Sequence, residues 1–149
     1  MAQNPVRTPQ TIVPYLTYQD APAAIEFLCK ALGFEEAYRL EMGDGKIGHA
    51  QLDFAGNQVM LASCYPELGL QSPQDLDGVH CQVHIDVDDV DAHCAHAKSQ
   101  GATIAMEPTD QPHGDRMYRV VDPEGHRWIF STRLREMTPE EIRKAYEGA

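Results

Sequence analysis

Residues that fix backbone geometry recur in this chain 69 positions apart, and that repeat limits what it can fold into more than any other feature. Gly56 and Gly125 fall at matching turns, Asp20 and Asp89 at matching helix starts, and Asp53 and Asp122 share the same offset. A chain of 149 residues is one domain's worth, so the repeat implies a single domain made of two fused halves.

Each half reads the same way. Ile12–Tyr18 and Cys81–Val87 are short apolar strands, each followed closely by an Asp suited to cap a helix. After Asp20, the residues Ile25, Leu28, Cys29 and Leu32 follow i, i+3, i+4, i+7 spacing, with Pro22 in the first turn and Gly33 as the stop. After Asp88 or Asp89, the residues Val90, Cys94 and Ala97 line a buried face that ends at Gly101. A less regular strand comes next, at Glu35–Leu40 and at Thr103–Glu107. A hairpin closes each half: His49–Phe54 turns at Gly56-Asn57 into Gln58–Ser63, and Arg116–Val121 turns at Asp122-Pro123-Glu124-Gly125 into Arg127–Thr132. In the second turn Pro fixes φ, Gly supplies a positive φ and Asp can bond its own backbone. The expected order in each half is βαβββ.

The segments outside the repeat are simpler. Residues 1–10 are polar with two prolines and read as a loose arm ahead of the first module, 11–64. Residues 65–79, rich in Pro and Gly, link it to the second module, 80–132, and are expected to overhang the ligand cavity. Residues 133–149 form a tail in which Thr138-Pro139-Glu140-Glu141 is a capping box opening a helix over Glu140–Tyr146, placed to pack on the domain or on a dimer partner.

A net charge of −11 argues against nucleic acid and anionic membranes as partners and is compatible with cationic ligands. No apolar run spans a bilayer and no signal peptide is evident, which places the chain in the cytoplasm. Cys29, Cys64, Cys81 and Cys94 show no C-x-x-C pairing and read as small hydrophobes in a reducing compartment.

A tandem βαβββ duplication with a D-P-x-G hairpin near its end resembles the vicinal oxygen chelate superfamily, which holds glyoxalase I, extradiol dioxygenases, fosfomycin resistance enzymes and bleomycin resistance proteins. The stretches IVPYLTYQDAPAAIEFLCKALGF and DQPHGDRMYRVVDPEGHRWIFST are most similar to its PhnB-like glyoxalase/bleomycin-resistance group, and the likeness runs from Thr11 to Thr132. The resemblance implies an α+β fold: a curved eight-stranded mixed sheet around a central cleft, with helices on the outer face. It also implies a homodimer. Each half alone leaves one sheet face bare, so the two halves, or two chains, must close it.

Strand parity then sorts side chains into the cleft. Val13, Tyr15 and Thr17 point inward from the first strand, and Gln82, His84 and Asp86 from its counterpart. The first hairpin adds His49, Gln51, Asp53 and Met60, and the 69-residue offset carries these to Tyr118, Val120, Asp122 and Ile129. By the resemblance, metal-dependent members of the superfamily place ligands, usually His, Gln or Glu, at four cleft positions, which here are Val13, Met60, Gln82 and Ile129. Two aliphatics and a thioether are no ligands for a hard or borderline divalent ion, and a lone amide is no site. No metal and no other cofactor is therefore expected.

The histidines do not rebuild a site in an obvious way. His80 and His84 are about 13 Å apart along one strand, too far for one ion. Asp89, His93 and His96 have chelating spacing but read as an exposed helix face, and His113 and His126 read as solvated. Trp128 has core parity, and Arg116 and Arg119 flank the cleft mouth, solvent-facing or ion-paired. An apolar floor with a few convergent polar groups is how small-molecule sites are built. The expected function is metal-free sequestration of an apolar, aromatic or cationic small molecule. The alternative is an enzyme: a metal-dependent lyase, dioxygenase or transferase with relocated ligands, or metal-free acid/base chemistry at His84 or His49.

Overall fold

A computed structural model describes residues 8–149; the first seven residues of the expected arm lie outside the described part. The first module runs β1 (Tyr15–Tyr18), α1 (Ala21–Leu32), β2 (Glu35–Gly43), β3 (Lys46–Phe54) and β4 (Asn57–Ser63). The second runs β5 (Val83–Asp86), α2 (Val90–Ser99), β6 (Thr103–Asp110), β7 (Asp115–Val121) and β8 (Arg127–Arg133). A C-terminal helix, α3 (Pro139–Glu147), follows. The βαβββ order of each half is as the repeat predicts.

The eight strands form two mixed four-stranded sheets, ordered β1-β4-β3-β2 and β5-β8-β7-β6, with β1–β4 and β5–β8 parallel. They do not join into one closed sheet within the chain. The predicted caps are in place: Asp20 accepts from the Ala23 N–H at 3.1 Å and Asp89 from the Ala92 N–H at 3.0 Å. Thr138 and Glu141 complete the capping box of α3, each side chain accepting from the other's backbone N–H, at 3.2 and 2.7 Å. No helix among the described residues is long and apolar enough to cross a membrane.

Both halves share one core. Leu16, Tyr18, Leu28 and Leu32 of the first module join Val90, Tyr118, Trp128 and Phe130 of the second in a single apolar cluster. Phe34 packs edge-on against Trp128 with ring centroids 5.6 Å apart, and α1 lies against α2. The helix-covered faces of the two sheets therefore meet in the middle of the chain, and among the described residues no α-helix packs on the opposite face of either sheet.

The turn Asp122-Pro123-Glu124-Gly125 ties the modules together. The buried Asp122 carboxylate accepts from the Tyr18 hydroxyl at 2.6 Å, the Trp128 indole N–H at 3.1 Å, and the backbone N–H groups of Glu124 and His126 at 3.1 and 3.0 Å. Glu124 reaches across to the β1–α1 junction, accepting from the N–H groups of Gln19 and Asp20 at 2.6 and 2.8 Å and from the Ser72 hydroxyl of the linker at 2.6 Å. Buried carboxylates need such donors to offset their lost hydration. The sequence motif that stands out most is thus structural.

Candidate functional site

The uncovered face of the first sheet carries the candidate site. Tyr15, Gln51 and Met60 lie side by side across β1, β3 and β4, because Tyr15 pairs with Met60 and Met60 with Gln51. Thr17 shares the face of Tyr15, while Leu16 and Tyr18 go to the core, as parity predicts. Val13 is half-buried just ahead of β1. The arm is pinned at its end: the Gln10 side chain accepts from the Gln58 N–H at 2.6 Å and donates to the Gln58 carbonyl at 3.1 Å.

A polar chain crosses this face. The Tyr15 hydroxyl and His49 Nδ1 are 2.8 Å apart, and His49 Nε2 lies 3.2 Å from Gln51 Oε1. The amide oxygen can only accept, so Nε2 carries the ring proton and Nδ1 accepts from Tyr15. Gln58 continues the chain to Asp53, donating to Oδ1 at 2.8 Å. Partial burial holds the Tyr15 phenol above its ordinary pKa.

Beside this chain opens an apolar cavity of about 500 Å³. Tyr15 and Thr17 line it, and Leu40, Met42, Tyr65, Leu68 and Leu70 supply its large apolar side chains beside Ile47. The linker therefore overhangs the cavity, as its position in the sequence predicts. Met42 lies over Gly48, where an added Cβ would come within 2.8 Å of the Met42 Cγ. Reading the strands as cleft walls missed Leu40, Met42 and the three linker residues. The available signal was the spacing of Tyr65, Leu68 and Leu70, three large apolar side chains close together at the start of a Pro- and Gly-rich segment.

The second sheet presents its own uncovered face. His84 pairs with Ile129, and Ile129 with Arg119, so these three occupy the places of Tyr15, Met60 and Gln51. His84 Nε2 lies 3.3 Å from Asp86 Oδ1 at the surface. Gln82 and Ile129 line a cavity of about 610 Å³ with Arg119 and Arg127, whereas His84 lines a different one, of about 330 Å³ at the junction of the modules. The residues expected to share one cleft are thus divided between two sheet faces of the same chain.

Tyr118 is a correction. It is fully buried in the core, donating to His93 Nδ1 at 2.7 Å and stacked on Phe130, and Val120 and Asp122 are likewise internal. The reason is one residue of turn. The first hairpin closes on the two residues Ala55-Gly56, both with positive φ, since Phe54 pairs with Asn57. The second closes on three, Pro123-Glu124-Gly125, the Asp122 N–H donating to the His126 carbonyl. An extra residue shifts β7 against the repeat and turns every side chain over, putting Arg119 on the open face. The alternation within Tyr118-Arg119-Val120 was the signal that could have shown it.

Two histidines also move inward. His93, expected on an exposed face, is half-buried, stacked 4.1 Å from Phe130, and donates through Nε2 to the Leu32 carbonyl at 2.8 Å. Burial lowers its pKa. His126 donates through Nε2 to the Thr17 carbonyl at 2.8 Å instead of facing water. His96 does stay exposed. Arg116 is ion-paired with Asp91 and Asp110, and Trp128 is core.

The donor set does not fit a divalent metal. Met60 and Ile129, 7% and 8% exposed, offer a thioether and an alkyl group, and Val13 offers no donor. Among the described residues no three His, Cys, Asp or Glu side chains converge so as to hold an ion.

Residues 10–130 match the model of the Glyoxalase/Bleomycin resistance protein/Dioxygenase superfamily. The chain is 38% identical over 135 residues to uncharacterized proteins of Mycobacterium bovis and Mycobacterium tuberculosis, covering 89% of this chain and 89% and 79% of theirs. Among solved structures it is similar to TioX from Micromonospora sp. ML1, at 35% identity and a TM-score of 0.67 over 84% of this chain and 99% of that one. A glyoxalase/bleomycin resistance protein/dioxygenase from Nocardioides shares the fold at 20% identity and a TM-score of 0.66, over 91% of both chains.

Proposed function

This chain belongs to the Glyoxalase/Bleomycin resistance protein/Dioxygenase superfamily, and from that premise we propose that it is a metal-free binding protein for an apolar or aromatic small molecule. Within the superfamily, the residues of β1, α1 and the second hairpin favour the PhnB-like group. The observation that carries the reading is the 500 Å³ cavity walled by Tyr15, Leu40, Met42, Tyr65, Leu68 and Leu70, on a scaffold whose ligand positions hold Val13, Met60 and Ile129. An apolar cavity edged by a few fixed polar groups suits a drug-sized ligand. Its lining includes Lys46 and no carboxylate, which favours a neutral aromatic ligand over a cation. A second copy of the chain would complete the cleft, the first-module face of one subunit meeting the second-module face of the other; His49, Gln51, Gln82 and His84 would then supply its polar contacts.

The test is a fluorescence titration with the neutral aromatic probe N-phenyl-1-naphthylamine in excess EDTA. Saturable binding at one probe per chain is expected, with affinity reduced at least tenfold in Leu70→Asp and Met42→Asp, because each places a carboxylate in an apolar wall. Absence of saturable binding, or binding that requires an added divalent ion, would overturn the reading.

One observation favours a second reading, as an enzyme. The chain Tyr15–His49–Gln51 places an acid at the cavity wall with a base of fixed tautomer behind it, an arrangement suited to metal-free proton transfer. Mass spectrometry of compounds recovered from the cavity after incubation separates the two: a binder returns them unchanged, and an enzyme returns a product whose formation Tyr15→Phe slows.

A further inference from the structure

The chain has 23 acidic residues against 12 Lys and Arg, so its cations should find carboxylates easily. Among the described residues most do: Lys30, Arg39, Lys98, Arg116, Arg133, Arg143 and Lys144 all form ion pairs with acidic side chains. Of the described cations that form none, Lys46 lines the apolar cavity and Arg135 follows β8. The other two, Arg119 and Arg127, share a single cavity, the 610 Å³ one on the second sheet.

Their placement follows from the register. Arg119 stands opposite Ile129, and Arg127 opposite Val121, so the two arginines are diagonal neighbours on one face of the β7–β8 pair. Diagonal neighbours stand about 7–8 Å apart at the backbone, within reach of two long guanidinium side chains converging on one group. The shift that buries Tyr118 is what brings Arg119 to this face. Arg119 is held by Gln82, its Nη1 donating to Gln82 Oε1 at 3.1 Å, and His80 also lines the cavity. No acidic side chain lines the cavity. Two guanidinium groups side by side without a counter-ion repel each other, and planar donor forks match the geometry of an oxyanion.

We propose that Arg119 and Arg127, with Gln82 and His80, form a binding site for the oxyanion of a small molecule, a carboxylate or a phosphate. Within one chain this site lies on the other sheet from the apolar cavity of the first module and stands whether or not that cavity takes a ligand; in a dimer of the kind proposed above, the two would face each other across the cleft. It binds the anion without covalent chemistry, through charge-assisted hydrogen bonds.

The experiment uses the full chain with inorganic phosphate and with benzoate as separate probes, each titrated by calorimetry at constant ionic strength set with sodium chloride. Saturable binding of at least one probe is expected, with affinity falling at least tenfold in Arg119→Gln and in Arg127→Gln and unchanged in Arg135→Gln. Phosphate alone binding would identify a phosphate site, benzoate alone a carboxylate site, and both a general oxyanion site. Arg119 is only partly buried and Arg127 exposed, so both variants should fold, which circular dichroism verifies. Binding of neither probe, or equal binding by wild type and the Arg119→Gln/Arg127→Gln double variant, overturns the proposal.

Discussion

Asp122 draws donors from both modules: the Tyr18 hydroxyl comes from the first, and the Trp128 indole and two backbone N–H groups from the second. Removing it takes away the acceptor of all four. Asp122→Ala is expected to cost on the order of 3 kcal/mol, read as a lower urea midpoint; a loss below about 1 kcal/mol would mean that these bonds matter little. His93 makes a second prediction. Its pKa is lowered by burial, and its Nδ1 accepts from Tyr118 only while the ring is neutral. The folded state then binds fewer protons than the unfolded one, whose histidine titrates near pH 6.5, so this contribution is complete above that pH and is lost as pH falls through the folded-state value. The melting temperature of the wild type should drop below about pH 6.5, and the drop should be shallower in His93→Gln. Parallel profiles would assign the acid sensitivity elsewhere. The sequence already pointed inward here: Val90, His93, Cys94 and Ala97 follow i, i+3, i+4, i+7 spacing, and grouping His93 with Asp89 and His96 on an exposed face hid that it completes the apolar stripe.

At the scale of elements, the duplication was legible because turns and caps demand particular residues. Asp20, Gly33, Asp89 and Gly56 sit where the backbone requires them, and strand and helix order followed. Face assignment was legible in β1, β3, β4, β5 and β8, where each strand keeps the repeat's offset or its own alternation. It failed in β7, since the longer second turn breaks the offset by one residue and a period-two pattern has no tolerance for that. The cavity wall was only half legible, because Tyr65, Leu68 and Leu70 belong to no repeated element. The elements also carry the expectation about assembly. With α1 and α2 packed together, each sheet leaves a face that no α-helix among the described residues covers, and Tyr15, Leu40, Met42 and Leu70 are exposed on the first. Burying such a surface against a second copy is favourable at about 25 cal/mol per Å². Light scattering should therefore return twice the mass of one chain at micromolar concentration; a single-chain mass would leave the two faces as separate sites.

At the scale of the whole molecule, the duplicated scaffold supplies two equivalent positions at the centres of its sheets, Met60 and Ile129, and fills both with apolar side chains. A charged ligand group against Met60 would be costly to bury without a counter-charge, and neither side chain offers a donor suited to a hard or borderline divalent ion. The fold is that of a superfamily that includes dioxygenases, while the two proposed guests, a neutral aromatic in the first-module cavity and an oxyanion on the other sheet, need no metal. The central claim is that function here needs no metal. Elemental analysis of protein purified without metal supplementation tests it most directly. Zinc, nickel, iron and manganese together should fall well below one ion per chain, and one tightly held ion per chain, retained through EDTA dialysis, would contradict the account.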